Sequence, residues 1–329
     1  MARRQGKHIT DKQHNKKKAS IDESSLLAPE RGIVVSRFGQ QADIANKDFT
    51  IIRCFIRKSL DIPVVGDQVV FCRQEQTDQG EEKGVITELL PRNSLLKRPT
   101  PHHGIKPVVA NIDFIALLLA PALGFSEMML DRYLVAAKAS DLPVWILFNK
   151  WDLLNQDEQT VIQQRLKTYQ DLGYPLYIIS AKQGFGIESF IKDSKGKSLL
   201  LAGQSGVGKS TLIKHLFPQH QVATSEISES SGLGTHTTTA SRLYRLSQDS
   251  YIVDSPGVRE FGLWHLDAQL IQQGFIEIAQ LSEDCKFRDC KHLKEPKCAV
   301  LAAAEAGEIA ASRLQNYQYL IQNFEQVNG

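Results

Sequence analysis

Residues 203–210 read GQSGVGKS, the segment with the strongest structural signal in the sequence. It matches the phosphate-loop pattern G-x-x-x-x-G-K-[ST], and it stands between a strand pattern at 197–202 (KSLLLA) and a helical pattern at 210–217. A strand before such a loop and a helix after it let backbone N–H groups surround phosphate oxygens at the positive end of the helix dipole. We therefore expect a nucleotide site in which Lys209 binds the β- and γ-phosphates and Ser210 ligates Mg²⁺. The positions assigned to the nucleotide in this loop are Gly203, Gln204, Ser205, Gly206, Val207, Gly208, Lys209, Ser210 and Thr211.

The chain on the N-terminal side of this loop alternates between strand and helix patterns. The run at 112–120 is continuously apolar, as in a central parallel strand that is buried on both faces. Helical patterns at 126–139 and 157–172 alternate with strand patterns at 143–148 and 176–179. This rhythm predicts a doubly wound α/β domain.

Two short motifs in this α/β region predict that the base is guanine. Each follows a predicted strand directly: NKWD is Asn149, Lys150, Trp151 and Asp152, and SAK is Ser180, Ala181 and Lys182. An aspartate at such a strand end can accept hydrogen bonds from guanine N1–H and the N2 amino group, a donor pair that adenine lacks. We expect Asp152 to read this pair, Asn149 to bond the base edge, the Lys150 stem to pack beside the ring, and SAK to support the base from behind.

A third motif, DSPG, follows the strand pattern at 251–253 and fits D-x-x-G. We expect Asp254 to hold Mg²⁺ through water and the Gly257 N–H to reach the γ-phosphate. The segment 228–239 between the phosphate loop and DSPG is rich in Ser, Gly and Thr, which suits a loop that orders around Mg²⁺ and a γ-phosphate. One of its three consecutive threonines should complete the metal shell, and we favour Thr238.

The residue after DSPG is Val258, where many GTPases place a glutamine that orients the attacking water. A valine cannot orient water, so another polar group is needed. His236, in the threonine-rich segment, is our candidate for this catalytic role, beside Lys209 and Thr238. The alternative is that His236 is an exposed loop histidine with no role.

The motifs stand in an unusual order. GTPases of the Ras type run from the phosphate loop through the switch threonine, DxxG and NKxD to SAK, whereas here the phosphate loop begins 54 residues after Asn149. The domain is therefore a circular permutation of that arrangement. As a result, DSPG leads directly into the C-terminal region, and we expect a switch movement to pull on that region.

Three of the five cysteines and one histidine crowd into a short C-terminal stretch, as Cys285, Cys290, His292 and Cys298. These residues form a complete Cys₃His tetrahedral set, which predicts one structural Zn²⁺. Reduced buried cysteines and an iron–sulfur site with histidine are the alternatives. The stretch is also basic, with Lys286, Arg288, Lys291, Lys294 and Lys297, which fits contact with RNA or an acidic partner. Cys54 and Cys72 lie in strand patterns and are expected to be core residues.

The N-terminal part combines a basic segment with short strand patterns. Residues 1–20 carry seven basic side chains and one acid, whereas the whole chain carries a net charge of only +2. This imbalance predicts a nucleic-acid partner, although a tail that only aids solubility is the alternative. Strand patterns spaced over about 65 residues indicate a small barrel of the OB or SH3-like type. The Pro- and Gly-containing stretch 97–104 is predicted to be a linker.

Composition agrees with a multidomain globular chain, with 42% hydrophobic and 23% charged residues. No apolar run of about 18 residues occurs and the first residues form no apolar segment, so we expect no membrane span, no membrane partner and no secretory signal. The predicted domains are a basic flexible arm (1–30), an OB-type β-barrel that binds RNA (31–98), a circularly permuted α/β P-loop GTPase domain (99–269) and an α-helical zinc-binding domain (270–329).

With NKWD, SAK, GQSGVGKS, GLGTHTTT and DSPG in this order, followed by the cysteine spacing, the chain resembles the RsgA (YjeQ) family of ribosome small-subunit-dependent GTPases over nearly its whole length. The resemblance implies a cytoplasmic factor that binds the 30S ribosomal subunit and its 16S rRNA late in assembly. It also implies that the subunit stimulates GTP hydrolysis and that the factor is released after hydrolysis. It also implies a switch-loop histidine in place of the glutamine, which His236 matches. We expect a monomer.

Two other function classes compete with this interpretation. A signalling GTPase with a protein effector would not need the barrel, the basic arm or the basic cysteine stretch. An RNA-binding module with a vestigial nucleotide site would not need the intact site residues Lys209, Ser210, Asp254 and Asp152.

Overall fold

The computed structural model describes residues 26–74, 83–100, 104–121, 125–218, 241–255 and 267–328. These ranges form a β-barrel, a β-hairpin, an α/β sheet with its helices, and a C-terminal group of helices. Within the same ranges, no helix combines the length and the apolar character that crossing a membrane requires.

Five strands form the N-terminal barrel. They are β1 (Leu26–Phe38), β2 (Gln41–Ala45), β3 (Ile51–Ile56), β4 (Gln68–Gln74) and β5 (Lys83–Leu89). The strand order is β1-β2-β3-β5-β4, and β1 also pairs with β4, which closes the barrel. The β3–β5 pair is parallel and the other pairs are antiparallel, as expected for an OB-type barrel. The interior is lined by apolar side chains that include Val34, Ile44, Ile52, Val69, Phe71 and Ile86.

The two barrel cysteines are core residues, as predicted. Cys54 and Cys72 are both buried. Burial raises the pKa of the Cys54 thiol to about 12, so this thiol stays protonated and behaves as a small apolar group.

The barrel differs from the prediction in three places. Strand β1 begins at Leu26, inside the predicted flexible arm, and the short polar strand β2 was not predicted. The predicted linker at 97–104 is wrong, because β6 (Leu95–Thr100) and β7 (Gly104–Ala110) form an antiparallel hairpin. A two-stranded ribbon consists only of edge strands, in which proline is tolerated, so the prolines that indicated a linker do not prevent pairing. Strand β6 also crosses residue 98, the predicted end of the barrel.

A six-stranded sheet forms the α/β region. Its strands are β8 (Phe114–Leu119), β9 (Val144–Phe148), β10 (Leu176–Ile178), β11 (Ser198–Ala202), β12 (Arg242–Ser247) and β13 (Ser250–Asp254). They lie in the order β10-β9-β8-β11-β13-β12, and only the edge strand β12 is antiparallel to its neighbour. Strand β8 is buried along its whole length, and its alternate residues belong to two separate core clusters, one on each face. This is the expected pattern of a central strand covered on both sides.

The helices of this region are α1 (Glu127–Lys138), α2 (Gln156–Asp171), α3 (Ile187–Asp193) and α4 (Lys209–Leu216). Helix α1 begins after the cap Ser126, whose side chain accepts a hydrogen bond from the Met129 N–H. Helix α2 begins with a capping box formed by Asn155 and Glu158. These boundaries agree with the predicted helices to within one residue, whereas α3 and β12 were not predicted.

Four helices form the C-terminal region, α5 (Ala268–Gly274), α6 (Ile276–Ser282), α7 (Ala299–Glu305) and α8 (Ala311–Asn328). They share a core that also contains Val135 of α1. A Cβ on Gly274 would collide with Val135, so the absence of a side chain there lets α5 approach α1 closely. The C-terminal helices therefore pack directly on the α/β region.

The barrel is joined edge to edge with the α/β sheet. Ser36 of β1 pairs with Arg242 of β12, so that the two sheets form one sheet of eleven strands. Val35 and Ala45 of the barrel belong to the same core cluster as Leu243 and Val253 of the β12–β13 hairpin. The barrel thus contacts the strand that ends at Asp254.

Candidate functional site

The phosphate loop connects β11 to α4 and depends on glycine at several positions. Gly203, Gly206 and Gly208 have φ values of 138°, 80° and 104°, which side chains rarely adopt. A Cβ on Gly203 would collide with the Leu118 carbonyl oxygen, and one on Gly208 would collide with the Asn149 amide. The loop can therefore approach both neighbouring segments only with glycine at these two positions.

Lys209 is the first residue of α4 and reaches back over the loop. Its Nζ donates hydrogen bonds to the Gly203 and Gln204 carbonyl oxygens, at 2.5 and 2.7 Å. Ser210 and Thr211 follow in the first turn of α4 and are exposed, whereas Val207 is buried beneath the loop. The ammonium group and the helix N-terminus thus face the same space, which favours an anion there.

Asn149 joins the three nucleotide motifs. Its side chain is only 1% exposed, and Nδ2 donates to the Val207 carbonyl oxygen at 2.8 Å. Its Oδ1 accepts from the Ala181 N–H, also at 2.8 Å. NKWD is therefore connected both to the phosphate loop and to SAK. The predicted bond from Asn149 to the base edge would use the second hydrogen of the amide.

Asp152 is held by the neighbouring motif. The buried Ser180 hydroxyl donates to Asp152 Oδ1 at 2.6 Å and accepts from the Gln183 N–H at 3.2 Å. A carboxylate has about four acceptor sites, so this contact orients Asp152 and leaves acceptors for the two guanine donors. Lys150 takes a left-handed conformation with φ 62°, and its Cε lies next to Gly208, while Lys182 is exposed.

Asp254 is the last residue of β13 and lies beside the phosphate-loop strand, in register with Leu201 of β11. The next residue, Ser255, is buried, and its hydroxyl bonds the Ser241 hydroxyl at 2.6 Å. This contact ties the end of β13 to the start of β12. The remaining predicted residues, His236, Thr238 and Gly257, lie outside the described residues, as does Val258.

The predicted metal ligands come together in the C-terminal region. One ligand atom from each of Cys285, Cys290, His292 and Cys298 lies within 4.8 Å of the others. His292 Nδ1 is 3.6 Å from Cys285 Sγ and 3.3 Å from Cys298 Sγ, and the two sulfurs are 3.8 Å apart. Tetrahedral zinc with bonds of about 2.0–2.3 Å places its ligand atoms roughly 3.5–3.8 Å apart. The cluster is therefore compatible with a closed zinc site.

Helices α5 and α8 support the histidine of this cluster. The Gln318 amide of α8 donates to the His292 carbonyl oxygen at 2.8 Å, and the Gln272 amide of α5 lies 3.3 Å from His292 Nε2. A metal bound at Nδ1 would leave the ring proton on Nε2, so Gln272 would offer its oxygen as acceptor. Sequence reasoning missed Gln272 because a glutamine 20 residues before the histidine carries no spacing signal.

Protonation also matters for this cluster. Burial raises the pKa of the Cys290 thiol to about 12 and raises the pKa of Cys298, whereas burial lowers the pKa of His292. The metal-free cluster therefore favours neutral thiols and a neutral imidazole. Because metals bind the thiolate form, a cation must displace the thiol protons.

Comparison with known proteins agrees with this geometry. Residues 89–264, more than half of the chain, match the family model described as RsgA GTPase. The chain belongs to the RsgA GTPase family. Its relatives in this family include the small ribosomal subunit biogenesis GTPase RsgA of Shewanella oneidensis, 42% identical over 314 residues that cover 95% of this chain and 88% of the relative. The RsgA of Haemophilus influenzae is also 42% identical, over 95% of this chain and 90% of the relative.

Solved structures of related proteins share the architecture. YjeQ from Thermotoga maritima superimposes with a TM-score of 0.70 at 31% identity, over 90% of this chain and 98% of that one. YloQ, described as a circularly permuted GTPase, superimposes with a TM-score of 0.69 at 27% identity, over 93% and 98% of the two chains. The predicted family, fold class and circular permutation are thus confirmed for this RsgA-family chain.

Proposed function

We propose that this chain hydrolyses GTP to GDP and phosphate during late maturation of the 30S ribosomal subunit. The observation that carries the proposal is the position of Asn149, which holds the guanine motifs NKWD and SAK against the phosphate loop. A base and a phosphate chain can be bound together only if these segments are adjacent. The curated relatives, which are named small ribosomal subunit biogenesis GTPases, supply the cellular process.

Different residues of the proposed site would bind the base and the phosphates. Asp152, oriented by Ser180, would read the guanine N1–H and N2 donors. Lys209 would leave the Gly203 and Gln204 carbonyl oxygens and bind the β- and γ-phosphates. Ser210, Asp254 and Thr238 would hold Mg²⁺, directly or through water. A Mg²⁺ held by these residues would supply positive charge to neutralise the phosphates.

His236 would orient the water that attacks the γ-phosphate, and the Gly257 N–H would bind a γ-phosphate oxygen. Val258 offers no hydrogen-bonding group for this task. A switch segment that carries both His236 and Thr238 would bring the water-orienting group and the metal ligand to the site together. Hydrolysis would then depend on the arrangement of that segment.

The Cys₃His cluster would bind one structural Zn²⁺ through Cys285, Cys290, His292 and Cys298. Four protein ligands leave no coordination position for water or substrate, so the metal would stabilise the fold. Cys298 also caps α7, since its Sγ accepts from the Leu301 N–H at 3.5 Å. The metal would therefore fix the loop 285–298 to the helices on either side of it.

The small subunit would act as partner and activator. The barrel, the basic N-terminal residues and the basic stretch around the cysteines would contact 16S rRNA, because clustered cations bind phosphate backbones. Subunit binding would stimulate hydrolysis, and GDP formation would release the factor. A monomer acting in the cytoplasm fits this role.

The test is GTP turnover with and without purified 30S subunits, with 50S subunits as the control. We expect the 30S subunit to raise turnover strongly and the 50S subunit to have little effect. Stimulation by a ribosome-free protein extract, without stimulation by 30S subunits, would instead support a signalling GTPase with a protein effector. Turnover that stays at the basal rate in every mixture would contradict the proposal.

A further inference from the structure

The turn between β2 and β3 carries one barrel residue onto the α/β sheet. Phe49 lies in this turn, with its ring stacked on Tyr251 of β13 at a centroid distance of 6.3 Å and an interplanar angle of 20°. The Arg245 guanidinium of β12 lies 5.4 Å from the centre of the same ring. A single aromatic side chain of the barrel therefore contacts both strands of the β12–β13 hairpin.

The turn holds Phe49 in a fixed position. Its φ is 63°, a left-handed conformation that is unusual for an aromatic residue. Asn46 Oδ1 accepts from the Asp48 and Thr50 N–H groups at 3.1 and 2.8 Å, and the Asn46 carbonyl oxygen accepts from the Phe49 N–H at 2.9 Å. The side chain is thus placed by the barrel, although it packs on the α/β sheet.

The contacted hairpin leads to the nucleotide site. Strand β13 ends at Asp254, a proposed Mg²⁺ residue, and Arg242 of β12 pairs with Asp254 across the ladder. The Ser241–Ser255 hydroxyl pair joins the two strands at that end. Tyr251 lies three residues before Asp254 on the same strand, so only a short, hydrogen-bonded element separates the Phe49 contact from Asp254.

We propose that Phe49 is a positioning residue for GTP hydrolysis, which couples the barrel, when it is bound to the small subunit, to the β12–β13 hairpin and Asp254. This inference rests on the proposed function, because it requires that the subunit stimulates hydrolysis. The proposed coupling runs through adjacent parts of the structure, which are the Phe49 ring, Tyr251 and the end of β13 with the Asp254 carboxylate. Phe49 is not one of the residues assigned to the nucleotide or to Mg²⁺.

The experiment uses Phe49→Gly and Phe49→Tyr in the full chain. Glycine removes the ring and favours the left-handed turn, so the barrel keeps its backbone, whereas tyrosine keeps the ring. For Phe49→Gly we expect the stimulation factor at saturating 30S subunit to fall about tenfold, typical of a coupling free energy between sites. The half-saturating 30S concentration should stay within about twofold, because the barrel surface is unchanged. Phe49→Tyr should retain the wild-type stimulation factor.

Phe38→Ala is the matched control. Phe38 is 47% exposed, and Arg53 of the barrel lies over its ring, so this variant removes a comparable ring–guanidinium contact within the barrel. It should keep the wild-type stimulation factor at saturating subunit. The inference is overturned if Phe49→Gly is stimulated like the wild type, or if its half-saturating 30S concentration rises while its maximal rate is normal. If the wild type itself shows no stimulation, the proposed function fails, and the inference fails with it.

Discussion

At the scale of single residues, Asn149 and Ser180 hold the parts of the proposed guanine site together. Asn149 uses both ends of its amide for protein contacts, and Ser180 fixes one oxygen of Asp152. Both side chains are buried, so their hydrogen bonds form in a medium that strengthens them. In the proposed site, specificity for guanine would come from Asp152, whose carboxylate is oriented by the Ser180 hydroxyl.

Asp152→Asn should change the base preference of the nucleotide site from guanine to xanthine. The asparagine amide repels one guanine donor but can donate to the xanthine oxygen that replaces the N2 amino group. We expect GTP affinity to fall by about 2–4 kcal/mol, the worth of a lost pair of charge-assisted hydrogen bonds. Titration of GTP and xanthosine triphosphate measures the change. Asp157→Asn, an exposed acid in the first turn of α2, is the control and should bind GTP normally. Normal GTP affinity of Asp152→Asn would remove this residue from the base pocket.

His236→Ala should separate binding from hydrolysis. GTP and 30S binding should be near normal, whereas subunit-stimulated turnover should fall by a factor on the order of 10²–10⁴, as for a positioned acid–base group. Single-turnover hydrolysis on saturating 30S subunits measures it, and the two binding titrations of the same variant are its controls. If His236→Ala kept full subunit-stimulated turnover, His236 would not orient the water, and the ribosome would be the next candidate to supply that group.

The sequence assigns a proposed role to individual residues because each motif combines residue type, spacing and a neighbouring strand. The contacts between motifs could not be predicted, since Asn149 and Val207 are 58 positions apart in the sequence and that separation carries no distance information. The same reason explains why Ser241, Ser255 and Gln272 were missed. Their partners are close only after the chain has folded.

At the scale of elements, the Cys₃His loop depends on its ligands for order. Residues 285–298 contain no helix or strand, and His292 and Lys297 have left-handed φ values of 58° and 61°. A loop without helix or strand hydrogen bonding has little regular structure to hold it, so metal binding would supply much of its stability.

Cys290→Ser should therefore remove the metal and disorder this loop while guanine-nucleotide binding is retained. The reason is that the four ligands lie in the C-terminal region, apart from the phosphate loop. Metal analysis should give one zinc per chain for the wild type and much less for the variant, and amide exchange should locate the lost protection. Cys72→Ala, which changes a buried barrel thiol, should keep its zinc. A variant without zinc whose loop is still protected from exchange would contradict the structural role.

Zinc affinity should decrease as the pH falls. The metal-free pKa of Cys290 is raised to about 12 and that of Cys298 is raised as well, so metal binding releases protons. Each displaced thiol proton should weaken binding by roughly tenfold per pH unit on acidification. The pKa of His292 is lowered, so at neutral pH the imidazole is already neutral and releases no proton when the metal binds. Competition with a chelator between pH 8 and pH 6 measures the slope, and an affinity independent of pH would exclude thiolate ligation.

Secondary structure could be predicted best where the apolar pattern is long. Strands β8, β9 and β11 and helices α1 and α2 were all predicted near their observed positions, because continuous apolar runs and helix caps are local signals. Strand β2, QADIA, has only one large apolar residue, and it exists because β1 and β3 pair with it on either side. Tertiary pairing of this kind leaves little local signal.

At the scale of the whole molecule, a buried ionic network fastens the C-terminal helices to the α/β region. Arg313 of α8 and Asp131 of α1 are both 0% exposed and lie 2.5 Å apart. Arg313 also binds Glu277 of α6 through two hydrogen bonds of 2.6 and 2.8 Å. Tyr169 of α2 and Asn316 of α8 donate to the two oxygens of Asp131. The network opposes independent movement of these helices, so a pull from DSPG would act on the C-terminal and α/β regions together.

Arg313→Met should destabilise the protein by about 3–5 kcal/mol, because two carboxylates would then be buried without their cation. Combining it with Asp131→Asn and Glu277→Gln should restore part of the loss, since no unpaired charge is left. Denaturant unfolding of the three proteins measures both effects. Arg165→Met is the control, because the Arg165–Glu127 pair is partly exposed and should contribute at most about 1 kcal/mol. If Arg313→Met lost as little stability as the control, the buried ionic network would not fasten these helices together.

The order of strands in the sheet has a consequence for synthesis. One half of the sheet, β10-β9-β8, carries the proposed base motifs NKWD and SAK at strand ends, and the other half, β11-β13-β12, carries the phosphate loop and Asp254; the halves meet between β8 and β11. Because chains fold from the N-terminus as they are made, the half with the proposed base motifs leaves the ribosome first. In a GTPase of the Ras type the phosphate half emerges first. In this chain the apolar edge of β8 must therefore stay protected from aggregation until β11 has been synthesised and can pair with it. Nucleotide can assist only the last stage of folding, when the phosphate loop is present.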